Sequence, residues 1–121
     1  MDNIKLKRIY GAQGPFNAND ILVDRLWPRG ITKASLEGMQ WIKTVAPSNE
    51  LRKWYHQHLD KEHWPTFSEK YQQELNESGA WAPLYEKLKQ GDKITLYYGS
   101  KDENCNHAIV LQNFLLAKLT Q

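Results

Sequence analysis

One cysteine in 121 residues excludes an internal disulfide, and with it the stapled frameworks of small secreted domains. No apolar run approaches the length of a membrane-spanning helix. The first residues, Met1-Asp2-Asn3-Ile4-Lys5, also lack the apolar core of a signal peptide. Charge of one sign is missing too. The chain carries 16 basic and 14 acidic residues, a formal net charge of +2, so no broad cationic field is available to hold nucleic acid nonspecifically. Repeats and low-complexity tracts are absent. These absences lead us to expect a cytoplasmic protein with no membrane partner. What is present is globular in character: 121 residues with 40% hydrophobic content and five tryptophans suffice for one domain, residues 1–121, with a real core.

Hydrophobic patterning predicts an α/β fold, a small single-domain sandwich with a mostly parallel sheet of about four strands flanked by helices. Ile4 and Leu6 alternate with Lys5 and Lys7 as in a half-buried strand. A loop with Gly14-Pro15 leads to a short apolar strand, Asp20 to Asp24, which Pro28 and Gly30 stop. Weakly helical or irregular chain follows, then a third strand, Trp41 to Val45, ending at Ala46-Pro47. Ser48 is an N-cap for a helix with Leu51, Trp54, Tyr55 and His58 on its apolar stripe. Thr66 and Glu69 have capping-box spacing ahead of Phe67, Tyr71 and Leu75, with Gly79 as the stop. Trp81, Leu84, Tyr85 and Leu88 share one face of a third helix. Lys93 to Tyr98 is the fourth strand, and a last helix runs from about Asn104 to Leu119. The first two strands are joined by a connection short for a parallel crossover, which leaves the direction of the first strand open, with an antiparallel edge as one alternative.

If the other strands are parallel, three exit loops converge on one sheet edge, where open α/β sheets bind ligands. The most informative is Asp24-Arg25-Leu26-Trp27-Pro28-Arg29-Gly30, directly after Ile21-Leu22-Val23. Together the loops offer Arg25, Trp27, Arg29, Lys33, Ser48, Arg52, Asn106 and His107 as ligand-binding candidates, with Asp24 and Asp102 as proton-moving ones. Arginine forks suit planar anions, and helix starts at Ser48 and near Asn104 favour negative charge. Asp24 at a buried strand end is the first candidate for a general base. Arg52 is expected to reach toward Asp24 while leaving part of its guanidinium for a ligand.

Each residue also has a plainer reading. Arg25, Arg29 and Arg52 can be spent in ion pairs with Asp24, Asp102 or glutamates. Trp27 can be a packing aromatic rather than a base-stacking platform. Lys5, Lys7 and Arg8 read as a solvated strand face. Cys105 and His107 lie two residues apart on one helix, so they point in different directions and do not form a nucleophilic dyad. His56 and His58 have the same spacing, which argues against a metal shared with His63. No metal and no cofactor are expected.

With these residues identified, the chain resembles the YeaO-like bacterial family, a domain of unknown function. The resemblance runs through Leu22 to Gly30 with Lys33, Ala46-Pro47-Ser48 with Leu51-Arg52 and Trp54, and Phe67, Tyr71 and Glu74-Leu75. It continues through Thr95 to Tyr98, Asp102, Asn106-His107-Ala108 and Leu111. It implies a compact cytoplasmic α/β domain with a shared site that includes Asp24, Arg25, Arg29, Lys33, Ser48, Arg52, Asp102 and Asn106, and it implies no particular reaction. Cys105 stands outside the pattern. The leading functional reading is a small anionic ligand, phosphate or carboxylate, bound or turned over at the strand edge. A nucleic-acid-associated module, with Trp27 stacking and Lys5, Lys7, Arg8, Arg25, Arg29 and Lys33 along the backbone, is the less favoured alternative. A non-catalytic interaction domain is the third.

Overall fold

A computed structural model describes residues 3–58 and 62–121. Met1 and Asp2, part of the N-terminus read above as lacking a signal segment, lie outside them. The described strands are β1 (Ile4–Arg8), β2 (Asp20–Leu22), β3 (Gln40–Trp41) and β4 (Ile94–Tyr98). The helices are α1 (Asn49–His56), α2 (Trp64–Ser78), α3 (Ala82–Lys89) and α4 (His107–Leu119). The sheet has the order β1-β4-β2-β3 and every pairing is parallel, with Ile4 opposite Ile94, Asp20 opposite Thr95 and Ile21 opposite Gln40.

The direction of β1, open from the sequence, is parallel, and the strand does lie at an edge of the sheet. It pairs with β4 rather than with its sequence neighbour β2. The connection at 9–19 returns across the sheet without a helix. An extended chain of that length reaches about 35 Å, whereas the return along a strand and the step across two strand spacings need only roughly 20 Å.

Successive strand residues face opposite sides of the sheet, and the core divides accordingly. Ile4, Ile21, Val23, Ile94, Leu96 and Tyr98 pack in one cluster with the buried faces of the helices, including Leu51, Phe67, Tyr71, Leu75, Leu84 and Leu111. On the other side Leu22 and Tyr97 join Ile9 and Leu36, with Phe16, Trp27 and Met39 against them. Loops and a short 3-10 turn, Ala34–Leu36, cover that second face. Gly38 makes this cover fit. Its φ is +94°, and a Cβ there would collide with the carbonyl oxygen of Phe16, so side chains are excluded on two counts.

Several boundaries differ from the sequence expectation: β2 ends at Leu22 rather than Asp24, α1 ends at His56 and leaves His58 beyond it, and Cys105 lies before the last helix rather than on it. The third strand stops at Trp41, and Lys43–Val45 coils into a 3-10 turn closed by Ala46 N–H donating to Lys43 O. Ile42 and Val45, three apart, fit that turn's period as well as a strand end does. α2 begins at Trp64 with Pro65 in its first turn, so the Thr66–Glu69 spacing is not a cap. Proline's preset φ places the start. α4 begins only at His107, because Asn106 caps it by accepting from Ile109 N–H at 3.2 Å. Its apolar circumference is spent against α2, α3, β1 and β4. No helix among the described residues is long and apolar enough to cross a membrane.

Candidate functional site

Parallel strands discharge their exit loops at one end, and here the exits of β2, β3 and β4 enclose a cleft of about 590 Å3. β2 contributes Asp24, Arg25 and Leu26. The β3 exit contributes Pro47 and leads into α1, whose Arg52, Tyr55 and His56 lie three and four residues apart and so share one helix face. The β4 exit contributes 99–102 and 105–107.

Asp24 sits at the floor, immediately after the fully buried Val23. Its Oδ2 accepts from Gly99 N–H at 2.8 Å, joining the ends of β2 and β4. A Cβ on residue 99 would stand 2.7 Å from that same oxygen, so glycine is needed for closeness of approach. Gly99→Ala is expected to push the carboxylate aside and cost about 1–2 kcal/mol. Urea unfolding measures it, and an unchanged midpoint would contradict the close contact.

The other oxygen, Oδ1, lies 3.1 Å from His107 Nε2, which is also 2.9 Å from Val23 O. A carbonyl and an ionised carboxylate only accept, so a proton sits on Nε2, and in the neutral form of the ring the lone pair lies on Nδ1. With the bond directed at Val23 O, Asp24 Oδ1 is sealed from solvent without a well-aligned donor of its own. The backbone of Asp24 is held as well, since the Trp41 indole N–H donates to its carbonyl at 2.7 Å.

The arginines are disposed differently from the ion pairs and the Asp24 contact considered above. Arg25 donates from Nε to Pro47 O at 3.2 Å and from Nη2 to Ala46 O at 2.9 Å, tying the β2 exit to the β3 exit. Arg52 does not reach Asp24. It donates instead to Asn49 Oδ1 at 3.1 Å, a neutral acceptor one turn back on the same helix. Asp102 Oδ1 accepts from Asn104 N–H at 2.9 Å and Cys105 N–H at 3.0 Å, forming the turn before α4. Asn106, buried, also donates to Asp102 O at 2.9 Å. Among the described residues, the one contact of a carboxylate with a basic side chain is that of Asp24 with His107, an ion pair when the ring is protonated.

The remaining candidates lie outside the cleft. Trp27 donates its indole N–H to Ile31 O at 2.6 Å and packs edge-on against Trp41, with ring centroids 5.3 Å apart. Arg29 and Lys33 are exposed on the segment after it, and Arg29 O accepts from the Tyr10 hydroxyl. Ser48 caps α1 by accepting from Leu51 N–H and donates its hydroxyl to Glu74 Oε2 at 2.6 Å, while its N–H donates to Glu74 Oε1. Lys5 and Lys7 are exposed, and Arg8 donates to Ser100 O. His58 stacks on Trp54 and bonds its carbonyl, and no group of three metal-ligating side chains occurs among the described residues.

Sequence reasoning missed Leu26, Tyr55 and Lys101 as cleft residues and Glu74 as the support of Ser48. Glu74 had a readable signal. It follows Tyr71 by three residues on the stripe of Phe67, Tyr71 and Leu75, where a carboxylate needs a partner.

Residues 3–121 match the family described as the inactive DUF488-N3 subclade. The uncharacterized protein YeaO of Escherichia coli strain K12 is 38% identical over 113 residues, covering 93% of this chain and 96% of that protein. An uncharacterized protein of Mycobacterium bovis is 38% identical over 112 residues, covering 93% of this chain and 92% of its own. No solved structure matches the chain. Over its whole described length, then, the chain belongs to the YeaO-like DUF488 family, in the subclade described as inactive.

Proposed function

We propose that the cleft binds a small organic anion and that the chain acts as a binding domain for it. Arg52 carries this reading: its guanidinium lines the cleft with one neutral partner and no carboxylate among the described residues. A permanently charged fork in that state retains donors for a planar anion. Lys101 and His56 lie on the same cleft, whereas Asp24 Oδ2 and Asp102 Oδ1 are already occupied by backbone N–H groups. The description of the subclade as inactive favours binding over turnover. A cytoplasmic location accords with the single cysteine.

The test is Arg52→Ala, titrated with phosphate and acetate at low salt. Because Arg52 bonds only at the surface, the stability loss should stay below about 1 kcal/mol, while phosphate affinity falls at least tenfold, roughly 1.4 kcal/mol. Undiminished affinity, or no binding by the parent protein, would remove the reading.

A second reading rests on the Asp24–His107 pair. Val23 O, with the Asp24 carboxylate beside it, holds the ring with a proton on Nε2, and in its neutral form Nδ1 is then left as a base, the orienting logic of hydrolytic dyads. Turnover of p-nitrophenyl phosphate that vanishes in His107→Asn would favour it. The nucleic-acid alternative predicts single-strand binding at low salt. The packed ring of Trp27 offers it little support.

A further inference from the structure

We infer that the anion bound in this cleft is carried on a flat apolar ring, an inference that rests on the anion-binding reading above. A bare phosphate or acetate leaves most of about 590 Å3 empty. That volume lies in the range of about 300–1,000 Å3 typical of pockets that hold whole organic molecules. The wall beside Arg52 suits a ring. Leu26, Pro47, Tyr55 and Phe67 line it, and the Tyr55 and Phe67 rings lie 4.4 Å apart between centroids, inclined by 31°.

Leu26 is the most telling of these. It is 57% exposed, the highest value among the exposed large hydrophobic residues, yet it stands at the mouth of the cleft between Arg25 and the packed Trp27. A single exposed leucine is ordinary. One that lines the same cleft as an aromatic pair beside a cation becomes a contact surface once a ring enters. Arg52 and Tyr55 sit one turn apart on the same face of α1, so charge and apolar contact are offered side by side. The matching ligand has its anionic group next to its ring, with the ring against Tyr55 and Leu26 and the anion at Arg52. Aryl phosphates and aryl carboxylates share this chemistry.

Calorimetric titration of the full chain with two matched pairs tests it: phenyl phosphate against methyl phosphate, and benzoate against acetate. The aromatic member of at least one pair should bind at least about tenfold more tightly than its aliphatic partner, and the pair that shows the gain distinguishes phosphate from carboxylate. Leu26→Ser should reduce that gain, read as the affinity ratio within each pair, to about threefold or less. Leu26 is exposed, so the variant keeps its core. Equal affinities within both pairs, with phosphate still bound, would overturn the aromatic ligand and leave the anion site standing. A gain that survives Leu26→Ser intact would also overturn the proposed ring placement. No binding of any of the four would remove both.

Discussion

Asp24→Ala is expected to lower stability by about 3 kcal/mol, and Asp24→Asn by about 2 kcal/mol. The carboxylate holds the ends of β2 and β4 together through Gly99 N–H and stands beside the His107 ring, whose Nε2 proton is directed at Val23 O. Alanine strands the Gly99 donor and removes the ring's neighbouring anion. Asparagine is nearly isosteric but supplies only one acceptor. With its oxygen on Gly99 N–H, its amide donor meets the Nε2 proton of His107; turned round, the same donor meets Gly99 N–H. Either orientation sets two donors against each other. Chemical denaturation at neutral pH reads the effect, and a loss of about 3 kcal/mol corresponds to roughly 10 °C in Tm for a domain of this size. Variants within 0.5 kcal/mol of the parent, a rough margin for a surface change, would show that Asp24 is not a structural link. Set against Arg52→Ala, the pair separates the two kinds of charge in the cleft. One bonds across the ends of two strands, and the other has a single neutral partner on its own helix.

The parts of this arrangement legible in the sequence are those set by local rules. Ile21-Leu22-Val23 followed by Asp24 marks the end of a buried strand, and the cleft does lie at that end. Ser48 as the cap of α1 and Gly79 as the stop of α2, at φ 67°, follow from side-chain and backbone preferences that act within a few residues. What escaped depends on reach rather than pattern. A helical wheel gives the direction of Arg52, but Asn49 one turn back lies nearer than Asp24 and takes its donor. His107 stands in the first turn of α4, where sequence shows a polar residue but not that its ring bridges to Val23 O. Gly99 reads as a loop glycine, and only the packed strands show that a carboxylate fills the place of its Cβ. The direction of β1 was hidden because its partner, β4, lies near the far end of the chain.

Above pH 10 the fold is expected to lose stability steeply, and Tyr71→Phe is expected to soften that loss. Tyr71 is wholly buried, with its hydroxyl donating to Val45 O at 2.6 Å. Burial pushes its pKa well above the ordinary tyrosine range; the Glu74 carboxylate adds to this, Arg25 pulls the other way, and Asp24 adds a lesser push upward. The phenol is neutral when protonated. In the folded chain it keeps its proton where the unfolded chain has begun to release one. Its contribution is therefore fully present below the unfolded value near 10 and is lost as pH rises toward the folded value. The slope is about 1.4 kcal/mol per pH unit. Tyr97 and Tyr98 are raised in the same direction, chiefly by burial, so part of the slope survives in the variant. At neutral pH Tyr71→Phe gives up the bond to Val45 O and should cost about 1 kcal/mol. Urea unfolding at pH 7, 9, 10 and 11 should show the two stability curves approaching one another above pH 10 and crossing if the fold persists that far. Parallel curves would mean that Tyr71 ionises in the folded chain as readily as in the unfolded one, through an opening that admits water beneath α2.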